Sequence, residues 1–379
     1  MIAKNNWEDT KIKWRNYWKR QNSGSPLMHI IASKDGTGDP ERAAALRSVN
    51  PEDKYLNAKR MVERYRYFCE THEFLAESFP NMSVDLGPGS MAAYLGSEVE
   101  FQENTIWFKE FVKDWLTHPK LELDRENKWF TKHLQTFREA VALAGNDFYI
   151  AIPDIMENID VLASMRGAQD TIFDMMDEPD EIHERIRQVQ SLYYPYYDQF
   201  YNLAKRVENG QDASCYTVFQ IWGEGKTAKL QCDFSAMISP NQFREFIQQP
   251  LRDQAQKADN VLYHLDGPDA IRHLDALMEI EEIHALQWTS GDYNPDGTFE
   301  EWYPIYDKAV AAGKALWVKV YSGSPQEWIE RLDRLIARYG SNALFLYFSP
   351  MEAKTADLIL NHAHHNWRDV SGNYKHIKR

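Results

Sequence analysis

A histidine and an aspartate stand two positions apart at the end of a short apolar run, Val261-Leu262-Tyr263-His264-Leu265-Asp266. In a β-strand, residues i and i+2 project from the same face, so His264 and Asp266 point the same way at the carboxyl end of the strand. An imidazole beside a carboxylate can bind a divalent metal or hold a polar substrate. Asp266 also precedes Gly267-Pro268, so it could instead only cap the following helix, with His264 as a core residue.

A metal site at this pair would need further ligands. A catalytic zinc ion takes three protein ligands and leaves one coordination position open. His264 and Asp266 supply two of them. The candidates for the third ligand are Cys232, Asp233, His29 and Glu352. Structural alternatives exist for Cys232 as a small buried hydrophobe, Asp233 as a turn former and Glu352 as a helix cap. Without a metal, His264 would be the natural acid–base group.

Short β-rich runs alternate with helical segments along most of the chain. The runs that predict strands cover residues 26–32, 148–153, 215–222, 261–265, 283–288, 316–321 and 343–348, and a further apolar stretch ends in the turn Gly87-Pro88-Gly89. This alternation predicts right-handed βα units and a parallel sheet. A count of about eight strands favours a closed (β/α)8 TIM barrel over an open sheet. We therefore expect one α/β barrel domain over residues 26–370, preceded by a helical extension over residues 1–25.

The helical patterns support this organisation. In the N-terminal extension, Trp7, Trp14 and Trp18 fall on one face of a helix. This stripe fits packing on the body of the protein or on a second subunit, so a homodimer is one expectation. Further helices are predicted over residues 53–77, 125–144 and 169–208. Three later helices should start with Ser as N-cap, Pro in the first turn and Gln or Glu at N3. These starts are Ser239-Pro240, Ser324-Pro325 and Ser349-Pro350.

Functional side chains of such a barrel lie where its strands end. The catalytic candidates at these ends are His264, Asp266 and Asp233. The substrate-binding candidates are His29, Asp154, Trp222, Gln287, Trp288 and Tyr321, of which the two tryptophans and the tyrosine would form the pocket wall. The turn Gly87-Pro88-Gly89 has neither the dinucleotide-binding nor the P-loop glycine spacing, so we assign it no phosphate role.

Composition limits the classes of partner. The chain has 379 residues, 43% of them hydrophobic, and a net charge of −14. This is a normal globular balance, and its negative charge disfavours nucleic acid and anionic membranes. No apolar stretch approaches the ~18 residues of a membrane span, and no secretory signal is recognisable at the start. Three separated cysteines indicate a reducing compartment without disulfides. The sequence thus predicts a cytoplasmic protein that acts on a small molecule.

Three stretches carry a likeness to a known family: residues 231–246, Tyr263-His264-Leu265-Asp266-Gly267 and Leu286-Gln287-Trp288. With these motifs in this order, the chain resembles the uroporphyrinogen decarboxylase-like superfamily, which includes the decarboxylase and corrinoid- and coenzyme M-type methyltransferases. The likeness covers most of the chain, and it implies a (β/α)8 barrel. In the decarboxylase, an Arg-Gln-Ala-Gly-Arg signature binds substrate carboxylates. The matching region here, residues 27–32, has no arginine, so we do not expect porphyrinogen decarboxylation.

The methyltransferase branch of this family holds zinc with a His-x-Cys pair and a later cysteine. Here the pair is His264-Leu265-Asp266, and residues 348–352 contain no cysteine. The resemblance therefore implies a zinc site that is either rebuilt with oxygen ligands or lost. Aspartate in place of cysteine makes a harder site, which suits a Lewis acid acting on an ether oxygen or an amine nitrogen better than one activating a thiol.

The resemblance leads to one main hypothesis about function. The chain would move a methyl group from a small O- or N-methylated compound to a corrinoid, with zinc held by His264 and Asp266. The cobalt-ligating Asp-x-His-x-x-Gly pattern does not occur in the sequence. A separate protein would therefore carry the corrinoid.

Two alternatives remain open. The first is a metal-independent decarboxylase or lyase for a small carboxylic acid, with Arg166 or Lys319 binding the anion. The second is a non-catalytic member of the family that binds a small ligand or a corrinoid. The missing cysteines favour this second alternative, and the many polar residues at the strand ends argue against it.

Overall fold

The computed structural model describes residues 4–216, 218–291 and 294–374. Its strands are β1 (Leu27–Ser33), β2 (His72–Ala76), β3 (Asn81–Ser83), β4 (Val99–Phe101), β5 (Ile106–Phe108), β6 (Tyr149–Ala151), β7 (Arg206–Glu208), β8 (Gln211–Tyr216), β9 (Ile221–Glu224), β10 (Thr227–Gln231), β11 (Asn260–Asp266), β12 (Ala285–Thr289), β13 (Ala315–Val320), β14 (Leu344–Phe348) and β15 (Met351–Glu352).

The α-helices are α1 (Trp7–Trp18), α2 (Pro40–Ala45), α3 (Pro51–Leu56), α4 (Ala58–Thr71), α5 (Ser90–Tyr94), α6 (Lys128–Ala144), α7 (Asn158–Arg166), α8 (Ala168–Asp177), α9 (Pro179–Ala204), α10 (Pro240–Gln242), α11 (Gln249–Ala255), α12 (Leu274–Met278), α13 (Tyr303–Ala311), α14 (Pro325–Tyr339) and α15 (Ala353–Asn366). A π-helical segment, Phe243–Gln248, joins α10 to α11, and short 3₁₀ helices cover Asp233–Met237, Pro268–His273 and Glu300–Trp302.

A parallel sheet forms the centre of the molecule. Strands β10, β11, β12, β13, β14, β1 and β15 pair in that order, all in parallel, and β2 adds to β1 in the antiparallel direction. Strand β6 pairs in parallel with β3, and Ile152 bridges to Tyr216 at the end of β8. The predicted α/β class is confirmed. Within the described residues, the backbone ladders do not join into a complete ring.

The central strands are short, apolar and covered by helices. In β11, five of the seven residues are buried, as expected for parallel strands that lie beneath helices on one face and beside core side chains on the other. Strands β12 and β14 each bury four of their five residues. Because this core holds the strands rigidly, side chains at their ends have fixed positions. Among the described residues, no helix combines the length and the apolar character needed to cross a lipid bilayer.

The N-terminal helix packs on the same chain. Two residues of its predicted aromatic stripe, Trp14 and Trp18, are buried and Trp7 is half-buried; the Trp14 ring centre lies 4.9 Å from that of Phe345 on β14. The Trp18 indole Nε1 donates a 2.8 Å hydrogen bond to the carbonyl of Trp222. The side chains that suggested a second subunit are therefore engaged within the chain. Residues 1–3 of the predicted extension lie outside the described residues.

Two of the three Ser-Pro helix starts are confirmed. Both Ser239 and Ser324 form complete capping boxes at the starts of α10 and α14. The third prediction, at Ser349-Pro350, is wrong. Residues 351 and 352 pair with β1 as β15, and α15 begins only afterwards, without a side-chain cap. A long-range strand pairing has replaced the local capping pattern.

Two other predictions are corrected, and one strand of the structure was not predicted. The helix predicted to run to residue 77 ends at Thr71, because the next five residues form β2 on the edge of β1. The strand predicted over residues 215–222 is the meeting point of two antiparallel strands, β8 and β9; Thr217 lies outside the described residues. Strand β10 was not predicted, because Lys229 and Gln231 give its sequence a polar character that is typical of exposed segments.

Candidate functional site

A cavity of about 720 Å³ opens at the carboxyl ends of β3, β6, β10 and β11, and we call it the carboxyl-end cavity. Polar side chains from the strand ends form one part of its wall. They are Asp85, Asp154, Gln231, Asp233 and His264. The hairpin β4–β5 and the turn Gly87-Pro88-Gly89 form another part. Gly89 is required here, since a Cβ atom would stand 2.3 Å from the Phe108 ring.

Three side chains that could together hold a metal ion meet beside this cavity. Asp233, His264 and Asp266 each offer one ligand atom, and these atoms lie within 4.8 Å of one another. The group unites two strands: Asp233 follows β10, and the other two end β11. Backbone pairing sets Gln231 opposite His264, so both strands end at the same level. Two carboxylates and an imidazole suit a divalent ion such as zinc, and the cavity leaves one side open to a substrate.

Hydrogen bonds orient the histidine of this group. His264 is half-buried, and its Nδ1 is bonded to Oε1 of Gln287, which stands opposite it on β12. An amide oxygen only accepts, so Nδ1 carries the proton and Nε2 is left to bind a metal. The Gln287 Nε2 donates a 2.9 Å bond to Oγ1 of Thr289, which holds the amide in this orientation. Metal-binding histidines in proteins are commonly supported in this way.

A buried lysine connects the strand ends. Lys229 on β10 is fully buried, and its Nζ lies 2.6 Å from Oδ2 of Asp154. It also donates to Oε1 of Gln231, whose Nε2 donates a 2.8 Å bond to Oδ2 of Asp233. Burial lowers the pKa of Lys229, but attraction to Asp154 and Glu157 outweighs burial and raises it overall. The lysine is therefore charged and fixes the Asp233 carboxylate through Gln231.

Asp85 is a protonatable group on the cavity wall. Burial, helped by the charge of Asp154, raises the pKa of Asp85 to about 7. Its carboxyl accepts backbone hydrogen bonds from Gly87 at 2.6 Å and from Asp154 at 3.1 Å. A carboxyl group with such a pKa can give or take a proton near neutral pH.

Two further carboxyl groups lie behind the wall. Burial raises the pKa of Glu157 well above its usual value, and it raises that of Asp160 to about 7 with a contribution from Asp233. Asp160 accepts backbone hydrogen bonds from Asp233 at 2.9 Å and from Phe234 at 2.8 Å. It thereby fixes the turn that presents Asp233 to the cavity.

The backbone around Glu157 is strained. Met156 and Asn158, on either side of it, have φ values of 61° and 56°. For residues other than glycine, such conformations cost about 1–3 kcal/mol each, and they cluster at functional sites. Here the Met156 N–H bonds to Oδ1 of Asp154 at 3.2 Å, and the Gln231 N–H bonds to Oε1 of Glu157 at 2.6 Å. The strained segment thus locks β6 to β10 under the cavity.

The structure brings together some of the predicted site residues. Asp154, Asp233 and His264 line the cavity, with Asp266 and Gln287 in contact with this group. Cys232 is buried and Glu352 is exposed, and neither belongs to the three-residue ligand group. Burial also raises the pKa of the Cys232 thiol far above its usual value.

Other predicted residues lie away from the cavity. Trp288 packs on Trp302, with ring centres 5.2 Å apart, because neighbouring residues of a strand face opposite sides and Gln287 faces inward. Trp222 is buried against Trp7 of α1, at 5.6 Å. They do not form the pocket wall. Its aromatic part consists of Tyr55, Trp107, Phe108 and Phe219.

Two more substrate-binding candidates also lie elsewhere. His29 stacks on Tyr347, with ring centres 4.5 Å apart, and burial lowers the pKa of this histidine to about 4. It is therefore a neutral core residue. Tyr321 is 45% exposed at the end of β13, beside the Lys319 ammonium group.

Sequence reasoning missed Lys229 and Asp160. Lys229 and Gln231 share one face of β10, and Asp233 follows two positions later. This series of polar residues at alternate positions was the available signal. From sequence alone, however, the same pattern is typical of an exposed strand, whereas all five residues of β10 are buried.

No protein-family model matches the chain, and no curated protein matches it either. The likeness to the uroporphyrinogen decarboxylase-like superfamily therefore stays a prediction from the three motifs. Any functional assignment rests on the cavity, its ligand group and its charges.

Proposed function

We propose that this protein is a methyltransferase that takes a methyl group from a small O- or N-methylated compound bound in the carboxyl-end cavity. The acceptor would be a corrinoid on a separate protein. The observation that carries the proposal is the meeting of Asp233, His264 and Asp266 at the open side of the cavity. We also infer that β1, β3, β6 and β10 to β14 close into a (β/α)8 barrel, as the family resemblance implies.

The ligand group fits a zinc ion. His264 offers Nε2 while Gln287 holds its other nitrogen, and the two carboxylates complete a set of three protein ligands. A bound zinc ion would act as a Lewis acid toward the oxygen or nitrogen that carries the methyl group. The fixed positions of Asp233 and His264 keep the open side of the site directed toward the substrate.

The charge of the wall favours a neutral or cationic substrate. Four carboxyl groups line the cavity, and the described lining residues include no lysine or arginine. The aromatic side chains of the wall can also contact a cation. A carboxylic acid substrate would instead need a basic group there. Arg166 is bound to Asp174 at 2.8 Å, and Lys319 is exposed outside the cavity, so neither supplies this group. The decarboxylase alternative is less well supported for this reason.

Asp85 can complete the reaction of an O-methylated donor. Methyl transfer breaks the C–O bond, and both electrons of that bond stay on oxygen, while the acceptor would supply the electron pair of the new bond to carbon. The oxygen is left negatively charged and then needs a proton. Asp85 lies on the cavity wall, and its pKa of about 7 keeps a large share of it protonated at neutral pH. It is the residue we propose as the proton donor to that oxygen.

The first test is metal content. Wild-type protein and His264→Ala are incubated with zinc, desalted and measured by plasma mass spectrometry, with Glu352→Gln as the matched control. We expect about one zinc per chain in the wild type and the control, and none in His264→Ala. Demethylation of methoxy and methylamine compounds with a competent corrinoid protein would then identify the donor. Wild-type protein without metal would refute the zinc-dependent mechanism.

A further inference from the structure

A second cavity, of about 540 Å³, lies at the opposite end of the sheet, and we call it the amino-end cavity. Its wall contains residues that stand before strands instead of after them. Lys314 precedes β13, Ala343 precedes β14, and Asn22 lies in the segment that leads into β1. Residues 369–372 from the C-terminal segment close another side. None of the groups of the carboxyl-end cavity takes part.

Positive charge without a direct ion pair is the first feature of the amino-end cavity, although the carboxylates of Glu281 and Glu282 attract Lys314 from a distance. Arg20, Lys314 and Arg338 line it. Arg338 is neutralised by Asp307 at 2.6 Å. Among the described residues, no carboxylate forms an ion pair with either Arg20 or Lys314. The only carboxylate of the described lining, that of Asp369, already accepts a 2.6 Å hydrogen bond from the Gly24 N–H.

Lys314 is an unusual cation because it is almost completely buried. Only 3% of its surface is exposed, and its Nζ donates to the carbonyls of Ile280 at 2.6 Å and Glu281 at 3.1 Å. An ammonium group has three donors, so one remains for a ligand. Burial lowers the pKa of Lys314 to about 8. A bound anion would reverse the effect of burial by favouring the charged form.

Asn22 offers an unpaired amide to the same space. This residue is 8% exposed, and neither its Nδ2 nor its Oδ1 has a hydrogen-bond partner among the described residues. Buried amide groups in proteins are nearly always bonded, since an unbonded one loses its contacts with water without replacement. A ligand in the cavity would supply the missing partners.

Arg20 stands at a position that usually holds glycine. It follows α1 with a φ of 56°, and its N–H bonds to the carbonyl of Tyr17 at 2.8 Å. The Gln21 N–H bonds to the carbonyl of Asn16 at 2.8 Å, which completes the helix-ending turn that favours glycine. The guanidinium group lies close to Gly313, where a Cβ atom would stand 3.2 Å from Nη2. Arg20 thus occupies a strained backbone position, and its exposed side chain lines the cavity.

From these features we propose that the amino-end cavity binds a small organic oxyanion, a phosphate or carboxylate compound. Arg20 and Lys314 would contact the anionic group, and the Asn22 amide would bond a neighbouring polar atom. The site is independent of the reaction proposed at the other end of the sheet. By joining α1, the starts of β13 and β14 and the C-terminal segment, the ligand would stabilise the folded chain.

The test uses the full chain and two simple probes, inorganic phosphate and citrate. Melting temperature is followed during titration with each probe, at ionic strength matched with chloride, and calorimetry gives the affinity. We expect a saturating rise in melting temperature with at least one probe. Phosphate alone would indicate a phosphate compound, and citrate alone would indicate a carboxylate compound.

Two variants and a control decide between a site and a general salt effect. Arg20→Gly removes the guanidinium group, and glycine favours the φ of 56° at this position. Asn22→Asp keeps the shape of the side chain and adds a negative charge that would repel an anion. Each should weaken binding at least tenfold, whereas Arg334→Gln, which removes an exposed arginine paired with Glu300, should not. The proposal is overturned if neither probe exceeds chloride, or if both variants respond as the wild type does.

Discussion

The two cavities lie at opposite ends of one sheet, and they differ in whether their polar groups have partners within the chain. In the carboxyl-end cavity, the acidic groups are held by partners within the chain: Lys229 neutralises Asp154, and Gln231 bonds Asp233. In the amino-end cavity, the buried Asn22 amide has no hydrogen-bond partner, and no carboxylate forms an ion pair with Arg20, among the described residues. The comparison suggests that the first site is organised before a ligand binds, and that the second is completed by its ligand.

The two buried lysines provide the largest test of this comparison. Lys229→Met leaves the carboxylate of Asp154 buried without its partner, and breaking a buried ion pair costs about 3–5 kcal/mol. Lys314→Met removes hydrogen bonds to two carbonyls and no ion pair, so we expect a loss of about 1–2 kcal/mol. Urea unfolding measures both free energies. Equal losses would show that the two ends do not differ in this way.

The second prediction concerns the pH dependence of stability. Asp85 faces Asp154, Lys229 and Tyr94, and its pKa is raised to about 7 in the folded protein from an ordinary value of 3.8. The folded state therefore binds more protons, so stability is full below the ordinary value and is lost as pH rises through 7. This group should contribute a loss of about 4 kcal/mol.

Asp85→Asn removes this contribution. The difference in unfolding free energy between the variant and the wild type should therefore shift by about 4 kcal/mol between pH 4 and pH 8, in favour of the variant at pH 8. Asp269→Asn, a change at an exposed carboxylate, is the control and should show a constant difference. A constant difference for Asp85→Asn would mean that its carboxyl group is ionised throughout this range.

The third prediction tests whether the ligand group is organised in advance. Gln287→Leu removes the oxygen that fixes the proton of His264 on Nδ1. Loss of such a supporting group typically weakens metal binding about 10–100-fold. Zinc affinity is measured by competition with a coloured chelator, and Gln248→Leu is the control, because the Gln248 amide bonds Ala276 and Glu279 and none of the ligand residues. Unchanged affinity in Gln287→Leu would show that this hydrogen bond does not prepare the site.

Much of the ligand group could be predicted from local sequence. The two-residue spacing of His264 and Asp266 fixes their common face, whereas Asp233 follows β10, a strand that was not predicted. The position of Gln287 also follows, once β11 and β12 are paired in register. Because neighbouring residues of a strand face opposite sides, Trp288 then faces outward, and strand alternation alone excludes it from the pocket wall.

The rest depends on contacts between distant segments. Lys229 is polar and appears suited to an exposed strand, and only the carboxylate of Asp154 from β6 explains why it is buried. Likewise, residues 351 and 352 have a capping pattern, yet pairing with β1 makes them a strand. The amino-end cavity joins residues near both termini, which no local pattern connects. Local periodicity thus predicts the strands and the direction of their side chains, but it does not predict which buried charges will meet.

The smallest expected effect lies at the turn after α1. With φ at 56°, Arg20 occupies a conformation in which glycine is favoured over other residues by about 1 kcal/mol. Arg20→Gly and Arg20→Ala both remove the guanidinium group, but only the alanine keeps the strained Cβ atom. In chloride buffer, the glycine variant should therefore be about 1 kcal/mol more stable than the alanine variant by urea unfolding.

The same two variants compared in phosphate or citrate separate the effect of backbone strain from the effect of anion binding by the side chain. The difference between the two variants should stay the same there, because both lack the group that would bind the anion. Wild-type protein alone should gain stability from the probe. If alanine and glycine were equally stable, the turn would carry no strain, and Arg20 would occupy this position without a cost in stability. The guanidinium group would still line the cavity without an ion pair, so the contrast between the two cavities would depend only on the response of the wild type to the probe.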